Sequence, residues 1–432
     1  MTLPLMYQCD FRWPGRLRSP SLTMAIGAFV CLLSVSGAAR ADDAAGFPAW
    51  TFGAYGTLGA AYSSERQADF TANVLNPGEA GYTHRVSPAV DSRIGAQLGV
   101  SLAPRWSATI QLVSERNLQN SYRPAVEWAN IKYQVTPDFS VRLGRISLPI
   151  FLAGDYRKAG YALVWVRPPA EVYGGLPVSS SDGIDASVRW TALGVNHVTQ
   201  AFFGNGNVKI DDKGAYARGR QLAGLSNTTT LGDLSLRASA MTADLTVDLA
   251  QPLFDAFRQF GPQGAALADK YGLVHKRAAI GSLGVSYDPG NWFLMSEVSR
   301  LNARSFLGDK TAMYATAGYR VGNLAPYVTY AKVKSNGATR DQGLNLAYLP
   351  PAAAPAAAYL NGQLNGLLST IAIQQTVSAG VRWDFSPNRA FKVQYDRLLP
   401  QGGSSGTLIH VQPGFKSGRA VHVLSAVLDF VF

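Results

Sequence analysis

The feature that most narrows what this chain can become is a period of two. From about residue 50 to the C-terminus, apolar and polar residues alternate over segments of about ten residues, and each segment ends in turn residues. Ile373 to Phe385 is the clearest segment: Ile373, Val377, Ala379, Val381, Trp383 and Phe385 fall on one face, with Gln375 departing from it. Gln374, Thr376, Ser378, Gly380, Arg382 and Asp384 fall on the other. The last segment sets Leu424, Ala426, Leu428, Phe430 and Phe432 against Ser425, Val427, Asp429 and Val431. A helix would repeat every 3.6 residues, so these segments read as strands with two different faces.

Turns give an independent count. Seven tight ones lie at Pro104-Arg105, Pro137-Asp138, Gly194-Val195-Asn196, Gly232-Asp233, Pro289-Gly290-Asn291, Gly322-Asn323 and Pro387-Asn388. Eight longer connections lie near 63–90, 117–124, 147–182, 204–218, 247–276, 301–309, 335–371 and 399–418. Seven short turns on one side and eight long loops on the other predict an all-β, transmembrane antiparallel barrel of about 16 strands, both termini on the short-turn side. In hydrocarbon every backbone N–H and C=O must be paired, so such a sheet has to close on itself. Side chains then alternate between lipid and lumen, with aromatic rings at the two interfaces. Trp106, Trp292, Phe391, Trp383 and Phe385 sit beside short turns, and Tyr62, Phe203 and Tyr330 beside long loops.

Composition agrees with that reading. The 432 residues are 47% hydrophobic and 16% charged, with a mean hydropathy of +0.01, far too polar for a bundle of membrane helices. Beyond the first forty residues no run approaches the ~18 apolar residues that a spanning helix needs. The N-terminus reads as a secretory signal over residues 1–41: Arg12, Arg16 and Arg18, then the apolar run Met24 to Ser36, then Ala39-Arg40-Ala41 as a cleavage site. Residues 42–432 are expected to form the barrel, starting at Asp42 after cleavage, with strands from Trp50. Cys9 and Cys31 both fall in the removed segment, so the exported chain carries no thiol through an oxidising compartment. Its net charge is +8, from 35 basic and 27 acidic residues. The basic residues are spread singly through alternating segments rather than clustered on one helix, which argues against nucleic acid as a partner.

The segment richest in functional residues is Val141 to Gly175, the third long connection. Its Phe151, Tyr156, Tyr161, Trp165 and Tyr173 argue for an ordered structure, and a connection this long is usually functional. Here the chain resembles the Gram-negative outer-membrane porins. Arg142 to Arg145 (RLGR), closing a strand before a Pro-containing loop, resembles the family's approach to its third loop, and Phe432 its C-terminal assembly signal. The run DYR…GYA…WVRPPAEVYG is similar to a subgroup of porin-like proteins. The resemblance implies a third loop folded into the lumen, narrowing a passive channel for small hydrophilic solutes and ions. It implies residence in outer-membrane lipid and lipopolysaccharide, a possible homotrimer, and no cofactor or metal. In such channels acidic loop residues face basic wall residues across the constriction. Carried over, Asp155 and Glu171 are the acidic candidates, with Arg157, Lys158 and Arg167 basic on the same loop, which departs from a simple acidic loop. Strand parity points Arg93, Lys132, Arg142, Arg189, Arg237, Arg382 and Lys392 into the lumen, with Asp185, Asp384 and Asp396 as partners, and Arg145 is grouped with the constriction. More bases than acids line the pore, so a weak anion preference is expected.

Two rival readings stay open. A substrate-specific anion uptake channel would need an ordered ladder of arginines. An outer-membrane enzyme would need a Ser–His or Asp–His pair on the outer face or rim. His84, His275 and His410 fall in loops and His197 and His422 on strands, none at metal-ligand spacing, with His422 expected as the one outward strand histidine. The chain has no P-loop or H-E-x-x-H motif. Two loop segments, Leu253 to Tyr271 and Pro350 to Leu368, read as short helices against the rim or over the mouth.

Overall fold

The computed structural model describes residues 47–211 and 214–432. The signal segment and the start at Asp42 lie outside the described residues. Sixteen long strands follow one another along the chain: β1 (Ala49–Ser63), β2 (Arg93–Ala103), β3 (Trp106–Glu115), β4 (Ala125–Gln134), β5 (Phe139–Ser147), β6 (Ser180–Ala192), β7 (Val195–Lys209), β8 (Tyr216–Leu231), β9 (Leu234–Val247), β10 (Lys276–Tyr287), β11 (Trp292–Asn302), β12 (Lys310–Tyr319), β13 (Leu324–Ser335), β14 (Gln374–Ser386), β15 (Arg389–Pro400) and β16 (Val421–Val431). Each pairs antiparallel with its neighbours, and β16 returns to β1 with Tyr55 opposite Val431 and Ser63 opposite Val423. The first half of β1, Ala49 to Thr57, pairs with β2 from Ser101 to Arg93, so β1 bridges the seam with its two halves staggered. No described helix is long and apolar enough to cross a membrane; the barrel would cross with its strands.

All seven tight turns and seven of the eight long connections lie where the sequence places them, whereas the one expected near 204–218 is short, because β7 runs to Lys209 and β8 starts at Tyr216. The β6–β7 turn has φ of +51° at Leu193 and +76° at Gly194, the left-handed pair that matches strand twist in a two-residue hairpin. Parity holds around the wall: Leu98, Leu143, Leu283, Val328, Val377 and Leu424 are exposed on the outside. Trp106 lies 4.6 Å from Tyr133, and Trp292 5.2 Å from Tyr287, in ring pairs beside the short turns.

The long loops are structured. Residues 248–275 form two helices, α1 (Gln251–Arg258) and α2 (Gly261–Tyr271), and residues 336–373 carry α3 (Ala354–Leu368). Phe254, Phe257 and Leu267 pack with Leu344, Leu364, Leu368 and Phe306 in one shared core, so these loops cover each other beyond the strand ends. Asp341 joins them, accepting from Lys270 Nζ at 2.7 Å and Tyr271 Oη at 2.6 Å. On the opposite side, Asp69 of the first loop exchanges backbone hydrogen bonds with Ile409 of the last at 2.8 and 2.9 Å, over a core of Phe70, Leu398 and Leu408.

Burial works to raise the Asp341 carboxyl, and the hydrogen bonds from Lys270, Tyr271 and the Gly343 N–H outweigh it, holding the group at about 2. A carboxyl held below its ordinary range stabilises the fold above that range and stops doing so as pH falls through its folded value. The 248–275 loop should therefore resist pepsin near pH 4 and be cut faster towards pH 2. Asp341→Asn, which loses at most about 1 kcal/mol of an exposed ion pair, should be cut at the faster rate already near pH 4.

Candidate functional site: the loop-filled lumen

Residues 148–179, between β5 and β6, turn inward and pack inside the barrel. Their apolar side chains make the largest buried core of the molecule: Phe151, Leu163, Val164, Trp165, Val172 and Tyr173 meet Phe202, Met241, Ile280, Phe293 and Tyr314, which point inward from the wall. Inward positions of strands that face water in the lumen would be polar; here they are apolar because they face a loop. Trp165 packs edge-on to Tyr314 at 5.5 Å, and its indole N–H donates to Thr316 at 2.9 Å. Gly284 leaves the space on β10 that Leu152 fills, since a Cβ there would overlap the leucine.

Polar contacts hold the loop to the wall at β9, β11, β12 and β14 to β16. On β11, Glu297 accepts the Leu152 N–H at 3.1 Å and the Tyr173 hydroxyl at 3.3 Å. On β15, Gln394 accepts the Val166 N–H at 3.1 Å, and Lys392 Nζ donates to the Gly160 and Trp165 carbonyls at 2.7 and 3.0 Å. Arg382 on β14 donates to the Leu163 carbonyl at 2.9 Å and pairs with Asp384 at 2.7 Å. Burying charges costs several kcal/mol each, which pairing and hydrogen bonding must offset.

The sequence-derived candidates fall into three groups. Arg167, Glu171 and Arg382 are sealed. Arg167 is held by Asp91 at 2.7 Å, Asp396 at 3.1 Å and Ser425 at 2.6 Å. Glu171, in the single turn Ala170–Tyr173, accepts from Gln374 at 2.7 Å and from Thr376. Its burial raises the carboxyl above the ordinary range, with those two hydrogen bonds working against the rise. Removing one partner from a buried ion pair such as Arg167–Asp91 typically costs roughly 3–5 kcal/mol. Lys392, which parity also points inward, is fully buried against Asp429 at 2.9 Å.

A second group lies at the edge of the loop. Asp155 accepts from Ser147 at 3.0 Å and Arg237 at 3.1 Å. Arg157 donates to the Leu176 and Pro177 carbonyls at 2.9 and 3.0 Å. Lys158 reaches Glu115 at 2.6 Å and Glu127 at 3.0 Å. Its burial opposes the charge, and those two carboxylates overcome that and raise it. Arg93 starts β2 opposite Glu115. A narrow cleft lined by Tyr55, Gln111, Glu127, Asp155, Arg157 and Lys158 runs between this edge and the wall.

The third group sits on the wall nearer the short turns. Lys132 on β4 is in register with Arg142 on β5, and Arg142 with Asp185 on β6. Arg145 is placed differently from the expectation. It is three residues from Arg142, an odd spacing that puts the two on opposite faces, and it pairs with Asp182 at 2.7 Å on the outer side shared with Leu143 and Ile184.

Against known proteins, no protein-family model and no curated sequence matches this chain. Solved structures do. The anion-selective porin from Comamonas acidovorans is 12% identical with a TM-score of 0.53, over 89% of this chain and 100% of that one. The outer-membrane channel DcaP of Acinetobacter baumannii is 11% identical with a TM-score of 0.52, over 92% and 100%. OmpF of Salmonella typhi, in complex with daunomycin, is 13% identical with a TM-score of 0.51, over 88% and 97%. The chain has the fold of the outer-membrane porins.

Within this porin fold the sequence reading missed several partners. Glu297 and Asp429 were visible in principle, since each alternates with outward apolar residues on its strand. Asp91, Glu115 and Glu127 were not, because they stand at strand ends beside loops, and a register shift at Gln111/Leu112 breaks the parity near Glu127. His422 faces outward beside Tyr395, as expected. His197 does too, stacked on Trp190 with centroids 4.0 Å apart, which corrects the expectation of one outward strand histidine. Two more histidines meet carboxylates near the long-loop rim: His410 with Asp69 at 3.0 Å and His275 with Asp244 at 3.2 Å. Asp69 also accepts from Thr83 N–H and hydroxyl at 2.8 and 2.6 Å, so its oxygens are spent joining loops.

Gly160 touches the wall where β1 meets β16, and a Cβ there would overlap Thr57 and Asp429. Gly160→Val should cost about 1–3 kcal/mol of overpacking and lift the loop off that seam. The expected result is a higher single-channel conductance with unchanged strand content by circular dichroism.

Proposed function

We propose that this protein is an outer-membrane porin: a passive channel for small hydrophilic solutes and ions with a weak anion preference. The supporting observation is the charge on the part of the inner wall that loop and partners leave accessible. Lys132, Arg142 and Arg189 project there with one carboxylate, Asp185, among them, and Arg142 keeps about 28% of its side-chain surface exposed. Charges in a narrow passage with low-dielectric walls act more strongly than in bulk water. The sealed cations Arg167, Arg382 and Lys392 neutralise buried groups and contribute less to the passage.

On this reading the chain is exported by a signal over residues 1–41 and resides in outer-membrane lipid and lipopolysaccharide. N-terminal sequencing of the outer-membrane form should begin at Asp42. A homotrimer is the assembly the porin resemblance implies, and crosslinking distinguishes it from a monomer.

In a planar bilayer the purified protein should give an ohmic pore whose reversal potential shows slight anion preference. The preference should shrink with salt, because screening falls to about 10 Å at 0.1 M. Arg142→Glu removes a cation and frees Asp185, so it should move the reversal potential towards cations. An unmoved potential would mean that Arg142 does not border the path.

A further inference from the structure

The cations inside the barrel differ in whether they have a carboxylate. Arg167 has Asp91 and Asp396, Arg382 has Asp384, Lys392 has Asp429, and Arg237 has Asp155. Lys132 and Arg189 have none among the described residues. Asp185, four residues before Arg189 on the same strand face, is already taken. Asp185 receives Arg142 Nε at 3.0 Å on both oxygens, Arg142 Nη2 at 2.7 Å, and Gln200 Nε2 at 3.1 Å. Across the neighbouring strand, the residue directly opposite Lys132 is another cation, Arg142. Asp138, in the adjoining turn, accepts the Arg189 main-chain N–H on its backbone carbonyl at 2.8 Å, a contact that does not involve the guanidinium.

Position adds to charge. Arg189 shares the inward face of β6 with Asp185, opposite the outward Ile184, Val188 and Trp190, and lies a few residues before the short turn at 193–194. Lys132 is likewise near the end of β4, two residues before its turn at 135–138. The pair therefore stands in the vestibule on the short-turn side, away from the loop contacts. Lys132 directly opposite Arg142 on β5 is a like-charge pair of the kind that destabilises a sheet, and guanidinium and ammonium groups together are a donor set that grips an oxyanion.

We propose that Lys132 and Arg189, with Arg142 fixed between them by Asp185, form an anion site in this vestibule, selecting small oxyanions and carboxylates as they pass through the channel. The site sets the preference of the pore from its short-turn side, and it rests on the channel reading above. Its ligand completes the pairing that the wall leaves undone.

The test is side-specific block by inorganic phosphate of chloride current through the full exported protein in a planar bilayer. Wild type should be blocked by millimolar phosphate from one side only. Lys132→Ala/Arg189→Ala should weaken the block by roughly tenfold or more, the loss of a charge-assisted hydrogen bond, and move the reversal potential towards zero. Asp185→Asn, which releases Arg142 from its carboxylate, should shift both readouts the other way. Arg340→Ala, in the long loop at 336–373, should change neither. Unaltered block and selectivity in both folded variants would overturn the anion site while leaving the channel standing. A wild-type protein that forms no pore would overturn both.

Discussion

Everything in this molecule depends on closing one ladder of backbone hydrogen bonds. A strand facing hydrocarbon has no water to take its N–H and C=O groups, so an open edge is not tolerated there. The seam between β1 and β16 removes the last edge, and it does so with a stagger: one half of β1 serves β2, the other β16. That closure fixes the parity of every strand, and parity decides which side chains meet lipid and which meet the interior. The outer belt of leucine, valine and ring pairs and the inner set of charges are two readings of the same ladder.

What fills the interior is less ordinary than the wall. The third loop is an apolar plug with a polar skin, and the wall opposite it has become apolar to match. Phe202, Met241, Phe293 and Tyr314 would be misplaced in a water-filled tube; against Trp165 and Tyr173 they are core residues. The loop's position is defined by directional contacts, because carbonyls and N–H groups inserted into a closed barrel need named partners. Lys392 and Arg382 supply donors to its carbonyls, and Glu297 and Gln394 accept its N–H groups. Basic residues on the wall thus do structural duty in one sector and stand free in another.

Local pattern made most of the barrel legible in the sequence. Alternation and turn residues are short-range signals, so Pro104-Arg105 or Gly232-Asp233 announces its hairpin without reference to anything distant. Ile373 to Phe385 shows its two faces on inspection. The interior was legible only as far as parity reaches. Arg382 and Lys392 were placed inward correctly by face, yet nothing nearby in sequence says that Tyr161, Leu163 and Trp165 cover them, some 220 residues away. Arg145 is a different failure: its motif drew it towards the constriction, while its odd spacing from Arg142 sends it to the outside. Asp91 and Glu127 escaped because a carboxylate at the end of a strand has no parity to read.

The Arg167 knot also sets an order on how the chain can be put together. Its partners come from the end of the first loop, from β15 and from β16, so the guanidinium cannot be satisfied until the final two strands have arrived. The same holds for the Gly160 and Trp165 carbonyls, which wait for Lys392. An unfinished barrel therefore holds a loop with unmet polar groups and an apolar flank, a poor competitor for the completed state. Lumen filling and seam formation become one cooperative event, and the last residues of the chain act as the key that locks both.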